Sequence, residues 1–370
     1  MELKYYMPTR VIAAPGCVKA NAALLPRFGK RALVMSGRSS AKRNGALADV
    51  QEALASQGIG FELFDAVENN PGIANCRDAA RAAREADADF IVGIGGGSPL
   101  DAAKTAAMLA RNELSDEEVF GGEYPKGALP VVALPTTAGT GSEVTQYAIL
   151  TNDAIESKSS ISSEAIFPVL ALLDARYTAT LEARVAANTA MDALSHAVEG
   201  YLSLRSDPWS RSVAREALRV FGSALPRLAK GEGGEDLRWE LLLASNLAGT
   251  VIAQTGTTIV HAMGYSLTYF KGIDHGRANG LLLGPYLEFI GAEKPDAVSE
   301  VLAALGWKDV AAFGRALDSL LGEREAIEEA ELDKFVGLAL KAKHLRYTAR
   351  QAGEAEIRSL FAKGLRISGR

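Results

Sequence analysis

The sequence predicts two domains, an N-terminal α/β domain with a doubly wound, mostly parallel sheet and an all-α C-terminal domain. Three observations lead there. The chain has 370 residues, enough for about two domains, each able to bury a core. From about residue 31 to 135, short apolar runs alternate with helical patterns. From Thr178 onward only helical periodicity remains.

The elements follow in order. The opening MELKYYMPTR has no apolar core of a secretory signal, so the start is expected to be mature protein in the cytoplasm. RALVMS is the first strand, a helix is expected over 41–57, and GFELF is the second strand. A helix over 74–86 leads to DFIVGIG, and a further helix begins at Ser98 and leads to LPVVALP. These strands are apolar throughout, as buried parallel strands are, so helices should cover both faces of the sheet. QYAILT and SKSSIS flank a turn at Asn152 and Asp153, and PVLALLD is the last buried strand. Helices are then expected over 181–203, 209–229, 237–253 and 278–290. The expected division is 1–177 and 178–370, with a cleft between. The segment KYYMPTRVIAAPG admits two readings: an edge strand pairing subunits of a homodimer, or a cap on its own sheet. The homodimer is the expectation carried forward.

Composition narrows the function. Hydrophobic residues make up 48% and charged residues 23%, an ordinary globular balance that excludes disorder. A net charge of −5, with no basic stripe interleaved with aromatics, gives no support to a nucleic-acid partner. The substrate is therefore expected to be small. Residues 241–270 contain no Asp, Glu, Lys or Arg, yet they carry Ser245, Asn246, Gln254, His261 and several threonines, a polar load wrong for lipid. Helices buried inside the protein explain them, and no membrane is expected. Cys17 and Cys76 form no disulfide framework, which suits a reducing compartment.

Two loops have the chemistry of a nucleotide site. Gly93, Gly95, Gly96 and Gly97 lie where DFIVGIG ends and a helix begins. Ser98 is the expected N-cap, Pro99 suits the first helical position, and Asp101 falls where a capping acid belongs. Glycine lets the backbone approach a ligand, and a helix N-terminus favours an anion such as a pyrophosphate. A tight glycine-rich turn is the plainer alternative, and Ser98 stands where the usual GxGxxG fingerprint has its last glycine. After VVALP come Thr136, Thr137, Ala138, Gly139, Thr140, Gly141, Ser142 and Glu143. Their hydroxyls and amides suit a ribose or phosphate, or simply an exposed turn. Two such loops on neighbouring strand ends favour a ligand.

The four histidines carry the remaining chemistry. Asp192 and His196 are spaced i,i+4 and share a helix face. His261 lies in the charge-free segment, and His275 precedes the glycine of DHGRANG. A buried imidazole needs a partner, and one divalent cation held with Asp192 satisfies all three. His344, between basic residues in LKAKHLRYT, is expected at the surface. Three imidazoles and a carboxylate suit Fe(II) or Zn(II). Four protein ligands fill a tetrahedral zinc, so iron, which expands its coordination more readily, is expected first.

GGGSPLDAAK, TTAGTGSEVT, Asp192-x3-His196 and His261 with His275-Gly276 together resemble the iron-containing (group III) alcohol dehydrogenases over essentially the whole chain. The resemblance implies an architecture shared with dehydroquinate synthase, holding NAD(P) beside a divalent metal. Its implied metal ligands are Asp192, His196, His261 and His275. Its implied cofactor contacts are Gly96, Gly97, Ser98 and Asp101 near the pyrophosphate, with Gly95 in the same loop. Thr136, Thr137 and Thr140 would line the rest of the pocket, with further contacts at Lys158, Leu173, Thr178 and Leu181. Hydride would pass between the nicotinamide and a small alcohol or its aldehyde or ketone.

The chain departs from the family twice. Where many members have a relay histidine four residues past the third ligand, this chain has Tyr265. Where NAD-preferring members often place an aspartate on the ribose, it reads Ser36-Gly37-Arg38-Ser39-Ser40. Arg38 and Ser39 tolerate a 2′-phosphate, so NADP(H) is expected over NAD(H). The alternatives are a zinc polyol dehydrogenase of the glycerol type, a lyase resembling dehydroquinate synthase, and a non-catalytic nucleotide-binding relative.

Overall fold

The computed structural model describes residues 4–368; Met1, at the head of the segment read as mature N-terminus, lies outside them, with the next two residues. Six strands form one parallel sheet: β1 (Arg10–Ala13), β2 (Arg31–Gly37), β3 (Gly60–Val67), β4 (Phe90–Gly95), β5 (Val131–Pro135) and β8 (Leu170–Leu173). Between the last two in sequence, β6 (Tyr147–Asn152) and β7 (Ser157–Ser162) pair as an antiparallel hairpin.

Side-chain alternation explains why the sheet is covered twice. Val34, Phe90, Val92, Ile94, Val132 and Leu172 pack into the core on one face. Leu33, Met35, Ile91 and Val131 pack into another, with Ala102, Ala106 and Met108 of the Gly97–Arg111 helix and Ala148 and Ile161 of the hairpin. β4, β5 and β8 are buried at every position, as parallel strands between two helical layers must be. The strand order is β1-β8-β5-β4-β2-β3. Successive strands run outward in opposite directions from the β2/β4 pair, which is the switch point where such sheets leave a crevice at their carboxyl ends.

The chain divides into compact units at Leu181/Glu182, four residues past the 177/178 junction read from the sequence. A cut at 177/178 would sever the 3-10 turn Ala175–Thr178. Lys4, Tyr5 and Tyr6 group with the second unit. There Gln254 grips the Tyr6 backbone, accepting its N–H at 3.1 Å and donating to its C=O at 2.8 Å.

The second unit departs from the all-α expectation. Besides its helices it holds a parallel pair, β9 (Ala326–Glu328) with β10 (Arg366–Ser368), centred on buried Ile327. Three residues are too few to show a period of two. The expected helix over 41–57 is in fact two, Ser40–Arg43 and Ala46–Ser56, split at Gly45, whose φ of +84° no continuous helix allows. The charge-free segment is likewise split, between Glu235–Thr255 and Ile259–Lys271, at Gly256. Among the described residues no helix is long and apolar enough to cross a membrane.

Candidate functional site

In the first unit, three of the sequence-marked segments follow the strands at the switch point. Gly37 closes β2, and Arg38 and Ser39 come next and are exposed. Gly95, Gly96 and Gly97 follow β4, and Thr136, Thr137 and Thr140 follow β5. The loops interlock. Thr136 N–H donates to Gly95 C=O at 2.9 Å. A Cβ on Gly96 would lie 3.0 Å from Thr137 Oγ1, and one on Gly97 would lie 2.6 Å from Thr140 Cγ2. Gly95, at φ +154°, has the Pro99 ring 2.4 Å from where its Cβ would stand, so no other residue fits there.

The capping expectation needs correction. The helix starts at Gly97 with Gly96 as N-cap, because glycine enters the first turn without Ser98's help. Ser98 Oγ instead accepts Asn70 N–H at 3.0 Å. Asp101 is turned inward: it accepts Ser142 Oγ–H and, at 3.0 Å, Ile149 N–H. Lys104 lies 3.3 Å from its Oδ1 and is fully buried; burial pushes this ammonium's pKa down and Asp101 opposes the shift. Lys104 also donates to Ser142 C=O at 3.0 Å and to Tyr147 C=O. These two side chains thus staple one loop to the other. Lys158, on β7, donates to Asn70 Oδ1 at 2.9 Å. Leu173 ends β8, the buried Thr178 hydroxyl donates to Ala175 C=O at 2.9 Å, and Leu181 is the unit's last residue.

The metal-ligand candidates come from three helices of the second unit: Ala183–Leu202 with Asp192 and His196, Ile259–Lys271 with His261, and His275–Gly291. Glycines let these helices close. A Cβ on Gly276 would stand 1.8 Å from Asn188 C=O, and one on Gly264 would stand 2.1 Å from Asn279 Oδ1. Asp192 Oδ1 is the hub, 3.7 Å from His196 Nε2, 3.6 Å from His261 Nε2 and 3.7 Å from His275 Nε2. Ligand atoms of Asp192, His261 and His275 all lie within 4.8 Å of one another. His196 stands just outside that triplet, with its ring stacked on His261 at 4.7 Å. Asp192, His196 and His261 are buried, and the His275 side chain, 23% exposed, is the open side. Two imidazole nitrogens and a carboxylate oxygen gathered at one point, with a third imidazole beside them, are a donor set a borderline divalent cation takes.

Three further residues complete the cluster. Glu199, fully buried, accepts His261 Nδ1–H. Burial alone would keep His261 neutral, but Glu199 and Asp192 outweigh it and lift its pKa to about 9. Burial would raise the Asp192 carboxyl, yet His196, His275 and His261 hold it well below the usual carboxylate range. Asn279 Nδ2 donates to Asp192 Oδ1 at 3.0 Å. His344, expected at the surface, packs edge-on to Tyr265 at 5.8 Å, and Tyr265 stacks on His275. Burial, and then His261, push His344 down to about 4. The spacing 192, 196, 199 on one helical face was a signal that finds Glu199; nothing local marks His344.

The profile of iron-containing alcohol dehydrogenases matches residues 8–175, and that of the C-terminal part of the Fe-containing alcohol dehydrogenase family matches residues 186–365. The chain belongs to the iron-containing alcohol dehydrogenase family. It is an oxidoreductase acting on CH–OH groups and their aldehydes. A probable alcohol dehydrogenase of Escherichia coli is 31% identical over 341 residues, covering 90% of this chain and 84% of its own. An iron-containing alcohol dehydrogenase of Thermotoga maritima superposes with a TM-score of 0.92 at 42% identity, covering 98% of this chain and 99% of that one. A sulfoacetaldehyde reductase of Bifidobacterium kashiwanohense, solved with NAD+, gives 0.88 at 27% identity, covering 98% of each chain.

Proposed function

We propose that this iron-containing alcohol dehydrogenase is an NADP(H)-preferring, Fe(II)-dependent enzyme that interconverts a small alcohol and its aldehyde or ketone, two electrons and a proton passing as hydride to or from the nicotinamide. The observation that carries the proposal is the convergence of Asp192, His261 and His275, with His196 beside them. When bound, a divalent cation supplies Lewis-acid polarisation of the substrate oxygen. Asp192, His196, His261 and His275 would hold it. With four protein donors, room for substrate requires coordination beyond four, which favours Fe(II) over Zn(II).

This chain's own residues do the remaining work. Glycine amides at 95–97, the hydroxyls of Ser98, Thr136, Thr137 and Thr140, and the half-buried Lys158 suit the dinucleotide, with Asp101 setting the loop that carries them. Gly37, Leu173, Thr178 and Leu181 complete the proposed contacts. Arg38 and Ser39, exposed just past β2, suit a 2′-phosphate, and this supports NADP(H). Tyr265, stacked on His275 with His344 beside it, stands in for a relay histidine in handling the substrate proton.

We further propose a homodimer, supported by β1 as an edge strand, and a cytoplasmic location, supported by two buried free thiols. The test is elemental analysis of anaerobically purified protein beside a screen of NADPH and NADH against simple aldehydes. Stoichiometric iron and a higher kcat/KM with NADPH are expected. A strong NADH preference would overturn the cofactor assignment, and protein lacking bound metal at full turnover would overturn the rest. Sedimentation velocity tests the dimer.

A further inference from the structure

We propose that Glu199 is the positioning residue that makes His261 a metal ligand and so sets the affinity of the centre for its cation; this rests on the metal-binding reading of Asp192, His196, His261 and His275. Glu199 comes three residues after His196 and seven after Asp192, so the helical period turns it to the same face. It is completely buried, and each of its oxygens has a separate task.

Oε1 accepts three bonds at the start of the Ile259–Lys271 helix: from Thr258 N–H at 3.0 Å, Thr258 Oγ1–H at 2.6 Å and Val260 N–H at 2.9 Å. Those amides have no partner inside their own helix, and the helix N-terminus favours an anion. Glu199 is therefore held in one place by the very helix that carries His261. Oε2 then accepts the Nδ1–H of His261. On the other side of the ring, Nε2 lies 3.6 Å from Asp192 Oδ1 and so points into the ligand cluster; with the Nδ1 proton engaged by Glu199, Nε2 is the nitrogen left for a cation once its own proton is displaced. The Glu199 contact keeps a proton on Nδ1, so the electron pair a cation takes is the one on Nε2, aimed at the ligand cluster. Such an outer carboxylate also makes the imidazole a stronger donor.

Only a carboxylate of this length does both jobs. Glutamine has a single acceptor oxygen. It must turn its amide either toward the Thr258 and Val260 donors or toward His261 Nδ1–H, and one set is lost either way.

The test uses full-length protein stripped of metal, with Zn(II) titrated against a chromophoric chelator for the parent, Glu199→Gln and Asp192→Ala. For Glu199→Gln the zinc Kd should rise about 10- to 100-fold. In the zinc-loaded, 15N-histidine-labelled protein, the hydrogen-bonded Nδ1 proton of His261 should move upfield or vanish. A merely structural role would lower the melting temperature of the zinc-free variant and leave Kd and this resonance unmoved, which would overturn the proposal. Should Glu199→Gln fold poorly, Thr258→Val retains the carboxylate and removes one of its donors; a smaller rise in Kd, about threefold, is expected, and none would count against the proposal. Parental zinc affinity in Glu199→Gln alongside lost binding in Asp192→Ala sinks the role of Glu199 alone. Parental affinity in Asp192→Ala sinks the metal centre itself.

Discussion

An Asp192 carboxylate only 4% exposed and surrounded by three imidazoles is unstable chemistry for a protein interior unless charge is balanced there. His196 stands just outside the Asp192–His261–His275 triplet, so it is the sharpest residue to remove. His196→Ala should lose metal and turnover together, read as metal per chain against kcat; unchanged turnover with the metal gone would break the assignment. His261 adds a pH dependence. In the metal-free chain its pKa is lifted from 6.5 to about 9, so its ionic contacts with Glu199 and Asp192 are fully present below about pH 6.5 and are lost as pH rises through about 9. A cation must displace that proton. Zinc affinity should therefore climb by up to about tenfold per unit from pH 6.5 toward 9; a flat profile in chelator competition would show that His261 already presents a free pair. The convergence of the ligand candidates was legible from spacing, since imidazoles in a charge-free, buried segment demand a partner. Asn279 and His344 were not, because what assigns their roles is contact with Asp192 and Tyr265 across the fold.

Helices carry ligands only as close together as their surfaces permit, and here backbone approach decides the spacing. Gly276 sits against the Asn188 carbonyl, in the helix whose first residue is His275. Next to it Asn188 Nδ2 donates to Asp274 Oδ2 at 2.6 Å, pinning that helix start. Gly276→Ala places a methyl 1.8 Å from a carbonyl oxygen, so the helices must part and His275 must leave Asp192. Overpacking of this kind costs about 1–3 kcal/mol. The expected outcome is a lower melting temperature together with lost metal stoichiometry, and a variant that binds metal normally would show that the helices part without cost. The same scale explains what the sequence hid. Parallel strands were readable because burial on both faces makes them continuously apolar. The break at Gly45, the cap at Gly96 and the β9–β10 pair depend on backbone angles and distant pairing, which leave no periodic trace over three or four residues.

The chain assigns its two chemistries to different stretches. All four ligand candidates lie after Glu182, spread from Asp192 to His275, while the glycine and threonine loops lie before Leu181. A cation held by four side chains from three helices would add a further link to segments already joined by packing and by the Glu199 and Asn279 hydrogen bonds, and binding to the folded form stabilises it by about 2.7 kcal/mol at a hundredfold excess over Kd. Local opening free energies should rise first where the ligand touches. Hydrogen exchange resolves this by segment. Zinc added to stripped protein should slow exchange in Ala183–Leu202, Ile259–Lys271 and His275–Gly291, whereas NADP+ should slow it in the peptides following β2, β4 and β5. Exchange in the Pro295–Leu305 and Val310–Leu321 helices, which carry none of the proposed ligands, should respond to neither beyond the global gain. If zinc protected the strand-end loops and left the three ligand helices unchanged, the cation would be binding elsewhere, and Asp192 with its histidines would be a buried hydrogen-bond cluster rather than a metal centre.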